Sequence, residues 1–315
     1  MSSSESMLHN SFSWSFRNCP SCNNAKISQA EIGSKNQAEK MSYSLVRDYF
    51  IGIRNEQVFF SYYRCLNCAL LYCPYYFNES QLDALYADMP DNLLGAEKST
   101  AARTQKGYFS WFKQFVNEVD TYLELGPDLG LISKEIVGHY KPSKSELVEP
   151  NVAMHGLLKG LSSSGTKVGV FRNLDECTTT QIDLTIGIHV FDHLLNPLEQ
   201  LKRLNDQTKA GGYIGIVVHN ESSLLRKLLG IKWPPFCLQH PQLFNRKSLK
   251  DLLLKAGFEH VRTARSTNHF RIKHIGTLAI DVVGLPDFLK KILPNWEIPV
   301  SLGNQISIFR KPLSP

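Results

Sequence analysis

From Tyr122 to Gly130 the chain reads Tyr-Leu-Glu-Leu-Gly-Pro-Asp-Leu-Gly. Apolar residues there give way to two glycines, the pattern of a strand that stops in a tight turn and hands over to a helix. In an open α/β sheet that junction is where a nucleotide-like ligand comes close to backbone. About 20 residues further on, Leu147-Val-Glu-Pro-Asn151 sets Glu149 at the end of a second strand, the distance at which a carboxylate accepts hydrogen bonds from a ribose.

The alternation continues downstream. Lys167–Phe171, Ile182–His189 and Gly212–Val218 read as a third, fourth and fifth strand, with helical stretches between them, notably Pro197 to Leu204. Ala210-Gly-Gly212 is expected to close the helix ahead of the fifth strand. Val261–Thr267 and Gln305–Phe309 suit two further strands, separated by an apolar stretch of helical spacing from Ile275 to Leu293. Strands separated by helices imply an α/β fold, a largely parallel sheet with helices on both faces. At 315 residues the chain can hold one large core of this kind and a smaller module besides.

The smaller module announces itself through cysteine. Cys19-Pro-Ser-Cys22 and Cys65-Leu-Asn-Cys68 each form the short loop that turns two thiolates to one side, and four thiolates are the donor set of a structural tetrahedral zinc. Aromatic and β-forming residues, Gln57 to Arg64, run into the second pair, so the module is expected to be β-rich. Cys73, Cys177 and Cys237 complete an odd total of seven, lack such spacing, and are expected to be small buried apolar groups. The start Met1-Ser-Ser-Ser-Glu-Ser has no basic-then-apolar leader and no apolar run is long enough to span a bilayer, which leads to the expectation of a cytoplasmic protein without membrane attachment. The expected divisions are a disordered segment over 1–16, the zinc-binding module over 17–90, a linker and leading helix over 91–120, and the α/β domain over 121–315. Within them, Asn78 to Tyr86 reads as a capped helix, Asp91 to Thr104 as linker, and Tyr108 to Val116 as an amphipathic helix packed on the sheet.

The formal net charge of +6 is uneven: residues 221 to 315 carry 15 Lys and Arg against 6 Asp and Glu, whereas the first 95 residues carry 7 against 9. A basic final third suits a phosphate-bearing substrate, and lysines scattered over a solvated face account for it as simply. The acidic balance of the cysteine module speaks against a phosphate-backbone grip, so a nucleic-acid partner is not expected.

In their order, Glu124-Leu-Gly-Pro-Asp-Leu-Gly130, Val148-Glu-Pro150, His189-Val-Phe-Asp-His193 with Asn196-Pro197, Lys209-Ala-Gly-Gly212, His240 to Leu249 and Leu254-Lys-Ala-Gly-Phe258 resemble the successive motifs of class I S-adenosylmethionine-dependent methyltransferases. Cysteine pairs followed by Leu82-Asp-Ala-Leu-Tyr86 are similar to the front of those family members that act on small molecules, sugar C-methyltransferases among them. The resemblance implies a Rossmann-like sheet of seven strands, the seventh antiparallel, preceded by the small β-rich zinc-binding module.

It also implies roles. Gly126 and Gly130 would let backbone pass the methionine part of the cofactor, Glu124 would lie near its amino group, Glu149 would take the ribose hydroxyls, and Asn173 and Leu174 would flank the adenine. Asp128 stands where the family carries its middle glycine, and a carboxylate there would face the cofactor's own. His189, at the end of the fourth strand, is counted with the cofactor residues. A methyl group moves to an aligned nucleophile, and a hydroxyl or acidic carbon must also lose a proton, so His240, His193 and Asp192 are the candidate catalytic residues, with His219 and Asn220 following the fifth strand. A small polar acceptor, such as a nucleotide-linked sugar or glycan precursor, is the leading expectation. RNA methylation, or a binding subunit with a vestigial cofactor pocket, are the alternatives. A dinucleotide fingerprint G-x-G-x-x-G is not present at Gly126.

Overall fold

In the computed structural model, residues 14–50, 57–87, 98–163 and 165–313 are described. Seven strands form the main sheet: β1 (Thr121–Leu125), β2 (Lys144–Val148), β3 (Lys167–Phe171), β4 (Ile182–Ile188), β5 (Thr208–His219), β6 (Glu259–Arg265) and β7 (Asn304–Arg310). Their spatial order is β3-β2-β1-β4-β5-β7-β6, with only β7 antiparallel to its neighbours. The order turns back between β1 and β4, and in such sheets ligands enter the crevice at the carboxyl ends beside that reversal.

Alternation along the strands explains why both faces are covered. Leu123, Leu125, Val148, Ile214, Ile216 and Val218 face one layer, where helices Pro197–Gln207 and Arg246–Lys255 contribute Leu201, Leu204, Leu249 and Leu252. Tyr122, Leu147, Leu184, Ile186 and Val217 face the other, against Phe109 and Phe112 of one helix and Ile132 and Ile136 of the next. All are buried, and each such side chain contributes about 1.5–3 kcal/mol.

Three local expectations are revised. The leading helix runs Lys98–Phe112, so residues 98–104, read as linker, are helical, while 91–97 lie outside the described residues. Ala210-Gly-Gly212 does not close a helix: that helix ends at Gln207, and the glycines lie in β5, where the register with β4 shifts and Gly211 takes φ +78°. There they exchange backbone hydrogen bonds with Lys311. Ser15–Phe16, expected to be disordered, pairs with Tyr75–Tyr76; residues 1–13 lie outside the described residues. The helix expected from Asn78 runs Glu79–Ala87, and Asn78 and Gln81 cap each other, backbone N–H to side-chain oxygen at 2.9 Å both ways.

The cysteine-bearing part is joined to the α/β part through a shared sheet. Leu71–Tyr72 pairs antiparallel with Gln242–Leu243, a strand from beyond β5. The half-buried Arg17 guanidinium donates to the carbonyls of Cys73, Leu195 and Pro241 and to Gln242 Oε1, tying three stretches together. Phe59, Phe60, Tyr62 and Phe77 pack in the same cluster as Trp233 and Phe236. Among the described residues no helix is long and apolar enough to cross a membrane.

Candidate functional site

The turn after β1 is built on three left-handed residues: Gly126 at φ +62°, Asp128 at +51° and Gly130 at +64°. Both glycines are required. A Cβ on Gly126 would stand 2.7 Å from Val190 Cγ2, and one on Gly130 would stand 2.9 Å from Leu158 Cδ2. Aspartate is among the residues that tolerate this region, which is how the turn keeps its course without the middle glycine. The backbone amide of Asp128 donates to Glu149 Oε2 at 2.9 Å, and the amide of Asn151 donates to Oε1 at 2.8 Å. Glu149 therefore laces the glycine turn to the end of β2, and burial holds its carboxyl above the ordinary range against those two amides.

Glu124 lies beneath the turn, 2% exposed, where Oε2 accepts the hydroxyls of Tyr122, at 2.8 Å, and of Ser133. Burial raises its pKa to about 7, although the two hydroxyls pull the other way. A folded-state value above the unfolded one means that the native protein keeps a proton that the unfolded chain has lost. Stability therefore falls as pH rises from the ordinary carboxylate range through 7, and stays reduced above it. Glu124→Gln, which keeps an acceptor for both hydroxyls, is expected to stabilise the protein at pH 8 by an amount on the order of 3 kcal/mol and to do little at pH 4.5. Thermal unfolding of both forms across that range checks this, and a gain that did not grow with pH would contradict it.

After β3, Asn173 caps a short turn, its Oδ1 accepting the Glu176 amide at 3.1 Å, while Leu174 is buried in the core cluster with Cys177 and Phe191. Asn173 is at the surface edge of that turn, and Leu174 points into the core.

At the carboxyl ends of β4 and β5 four imidazoles stand in a row: His189 to His219 at 4.4 Å between centroids, His219 to His240 at 4.9 Å, and His240 to His193 at 4.7 Å. Register explains half of it, since Ile188 pairs with Val217 and so His189, just past β4, comes beside His219, the last residue of β5. Asp192, fully buried, turns to His219, not to His193: its Oδ2 accepts from His219 Nδ1 at 2.8 Å and from the His219 amide at 3.1 Å. Burial opposes the Asp192 charge, but the His219 contact outweighs it and its pKa falls. Burial keeps His219 below the usual imidazole value despite Asp192, so its ring is neutral at neutral pH with Nε2 as the lone-pair nitrogen. His193 Nδ1 instead meets Tyr86 Oη at 3.2 Å, which brings the helix after the cysteine module to the row.

His240 contrasts with its neighbours. Its Nδ1 lies 2.8 Å from the Pro235 carbonyl and 3.3 Å from Cys237 Sγ. Burial disfavours charge on both groups, yet the pairing of a Cys237 thiolate with a His240 imidazolium overrides it, raising His240 to about 9 and lowering Cys237. Cys237 is thus not an inert apolar filler, and neither its sequence spacing nor its apolar neighbours reveal that. His219 could be suspected from its place after an apolar strand; its partner could not.

The four cysteines Cys19, Cys22, Cys65 and Cys68 converge with their sulfurs within 4.8 Å of one another. Cys19 to Cys68 and Cys22 to Cys65 are each 3.5 Å apart, near the roughly 3.8 Å that thiolates at 2.3 Å from a tetrahedral zinc would keep. The two loops repeat one geometry: the residue after each second cysteine, Asn23 or Ala69, is left-handed and donates its amide to the carbonyl of the first.

A family model described as a methyltransferase domain matches residues 80–263, more than half of the chain. No curated protein matches it. Among solved structures, a chain from the complex containing the Haloferax volcanii Trm112 methyltransferase activator aligns at 13% identity and TM-score 0.50, covering 73% of this chain and 97% of that one. The N-methyltransferase NodS of Bradyrhizobium japonicum, in complex with S-adenosyl-L-homocysteine, aligns at 10% identity and TM-score 0.48, covering 74% and 97%. A S-adenosylmethionine-dependent methyltransferase of Methanosarcina mazei aligns at 14% and TM-score 0.42, covering 65% and 98%. At 13% identity the first of these likenesses speaks for the fold alone.

Proposed function

The chain belongs to the methyltransferase-domain family as a class I enzyme dependent on S-adenosylmethionine, and from that premise we propose that it methylates a small polar metabolite, with zinc held by its four cysteines. The observation that carries this reading is the imidazole row with its buried Asp192, set at the carboxyl ends of β4 and β5 beside the reversal of strand order. Gly126 and Gly130 admit the cofactor's methionine end, Glu124 and Glu149 face its amino group and ribose, and Asp128 preserves the turn. Asn173 borders the adenine, with Leu174 as the core support below it, and His189 stands next to the cofactor's edge.

Bound S-adenosylmethionine supplies an electrophilic methyl group. The chain's own residues align the acceptor and take its proton: His219 Nε2 is the base, because Asp192 fixes the proton on Nδ1 and leaves the other nitrogen its lone pair. His240 and His193 line the acceptor's side of the row, His240 as the cationic member. The zinc site clamps the small module against the core that carries the row, since Cys19, Cys65 and Cys68 share a cluster with Phe191 and Phe244.

Incubation with methyl-labelled cofactor, a panel of nucleotide-linked sugars and total RNA tests the acceptor class. Label is expected in the small-molecule fraction; label in RNA would overturn the reading in favour of RNA methylation.

A further inference from the structure

We propose that His189, Asp192 and His219 form a site for one divalent transition-metal ion, separate from the four-cysteine centre. One ligand atom from each lies within 4.8 Å of the other two. Two of the groups are otherwise unexplained. Asp192 is fully buried, and while Oδ2 accepts from His219, Oδ1 has no hydrogen-bond partner among the described residues. His189 Nδ1 is likewise buried without a partner among the described residues. Buried polar atoms are nearly always satisfied, and two orphans in one cluster ask for a common guest.

The backbone points the same way. His189 is left-handed at φ +53°, a conformation that a bulky residue adopts at a cost, and its amide is anchored to the Val217 carbonyl at 2.8 Å. The anchoring sets its ring beside that of His219 instead of letting it turn to solvent. His219 Nδ1 and Asp192 Oδ2 are 2.8 Å apart, close to the roughly 3 Å between adjacent ligands at about 2.1 Å from one ion. Two imidazoles and a carboxylate suit zinc, cobalt, manganese or ferrous iron over magnesium or calcium, which prefer oxygen, and three protein ligands leave a position open.

One consequence rests on the reading of His219 as the base. Its Nδ1 carries either the proton shared with Asp192 or the ion. With the ion on Nδ1 the ring proton resides on Nε2, which then has no lone pair for the acceptor. Metal occupancy and base function therefore exclude each other at this residue, and the site would act as an off-switch for the transfer.

The test is a cobalt(II) titration of the full chain with its cysteine site already filled with zinc. One further equivalent is expected to bind with weak d–d absorption and no thiolate charge-transfer band. His189→Asn and Asp192→Asn are each expected to weaken it at least about tenfold; asparagine tolerates the left-handed backbone at 189, and a cooperative thermal transition with one equivalent of zinc retained serves as the folding control. No further equivalent, undiminished affinity in both variants, or a signal carrying only the thiolate band would overturn the site. Turnover surviving in His219→Gln would instead remove the base reading and leave the titration untouched.

Discussion

Cys68→Ser is expected to yield a protein that contains no zinc and melts at least about 10 °C lower than the native chain, or does not accumulate in soluble form. Structural zinc binding in small modules is worth on the order of 10 kcal/mol, comparable to the whole stability of a domain. Even about 4 kcal/mol of that, expressed through the fold, gives a shift of roughly this size. The effect is expected to reach beyond the module, because Cys68 packs in the cluster that holds Phe191, Phe244 and Leu249 of the α/β part, and because Leu71–Tyr72, immediately after the second cysteine loop, pairs with Gln242–Leu243. The aromatic cluster around Phe59, Phe60 and Trp233 does not depend on the sulfurs and should keep the module partly collapsed. Metal analysis and calorimetry decide the matter: one equivalent of zinc in the variant with an unchanged Tm would contradict the four-thiolate centre.

The second large effect concerns His219. Replacement by glutamine is expected to lower turnover by about 10²–10⁴-fold while leaving affinity for S-adenosylhomocysteine within about twofold, since a positioned base contributes that much to proton removal and nothing to cofactor binding. Asp192→Asn should also lower turnover, because the amide no longer dictates which nitrogen of His219 carries the proton. His240→Gln separates the candidates. Its Nδ1 is bound to the Pro235 carbonyl and Cys237, and its proton is held up to about pH 9, so at neutral pH it is the poorer acceptor and its loss should act mainly on KM. Full turnover in His219→Gln together with a dead His240→Gln would reverse the assignment.

The α/β frame was legible wherever local pattern and tertiary demand agree. Tyr122–Leu125 alternates because its two faces meet two layers, and Gly126 and Gly130 are glycines because a Cβ at either would strike Val190 or Leu158. The cysteine pairs were legible because each loop is closed locally, through an amide from Asn23 or Ala69. What could not be read locally follows from long-range register. Gly211 and Gly212 look like a helix stop, yet pairing with Lys311, a hundred residues away, places them in a bulged strand. His193 is the neighbour of Asp192 in sequence, but the pairing of Ile188 with Val217 brings His219 to it instead. Residues 98–104 read as linker because the run is polar and the apolar stripe that marks a helix begins at Tyr108; in the structure the buried side of those first turns is carried by Thr100 and Thr104.

The proposed function requires that the glycine turn and Glu149 frame a pocket for the cofactor. Calorimetric titration of the native chain with S-adenosylhomocysteine tests it most directly. One equivalent is expected to bind, and Gly126→Ala, whose methyl would press on Val190 at a left-handed position, is expected to weaken binding at least about tenfold. No heat of binding to a native chain that shows a cooperative thermal transition would contradict it.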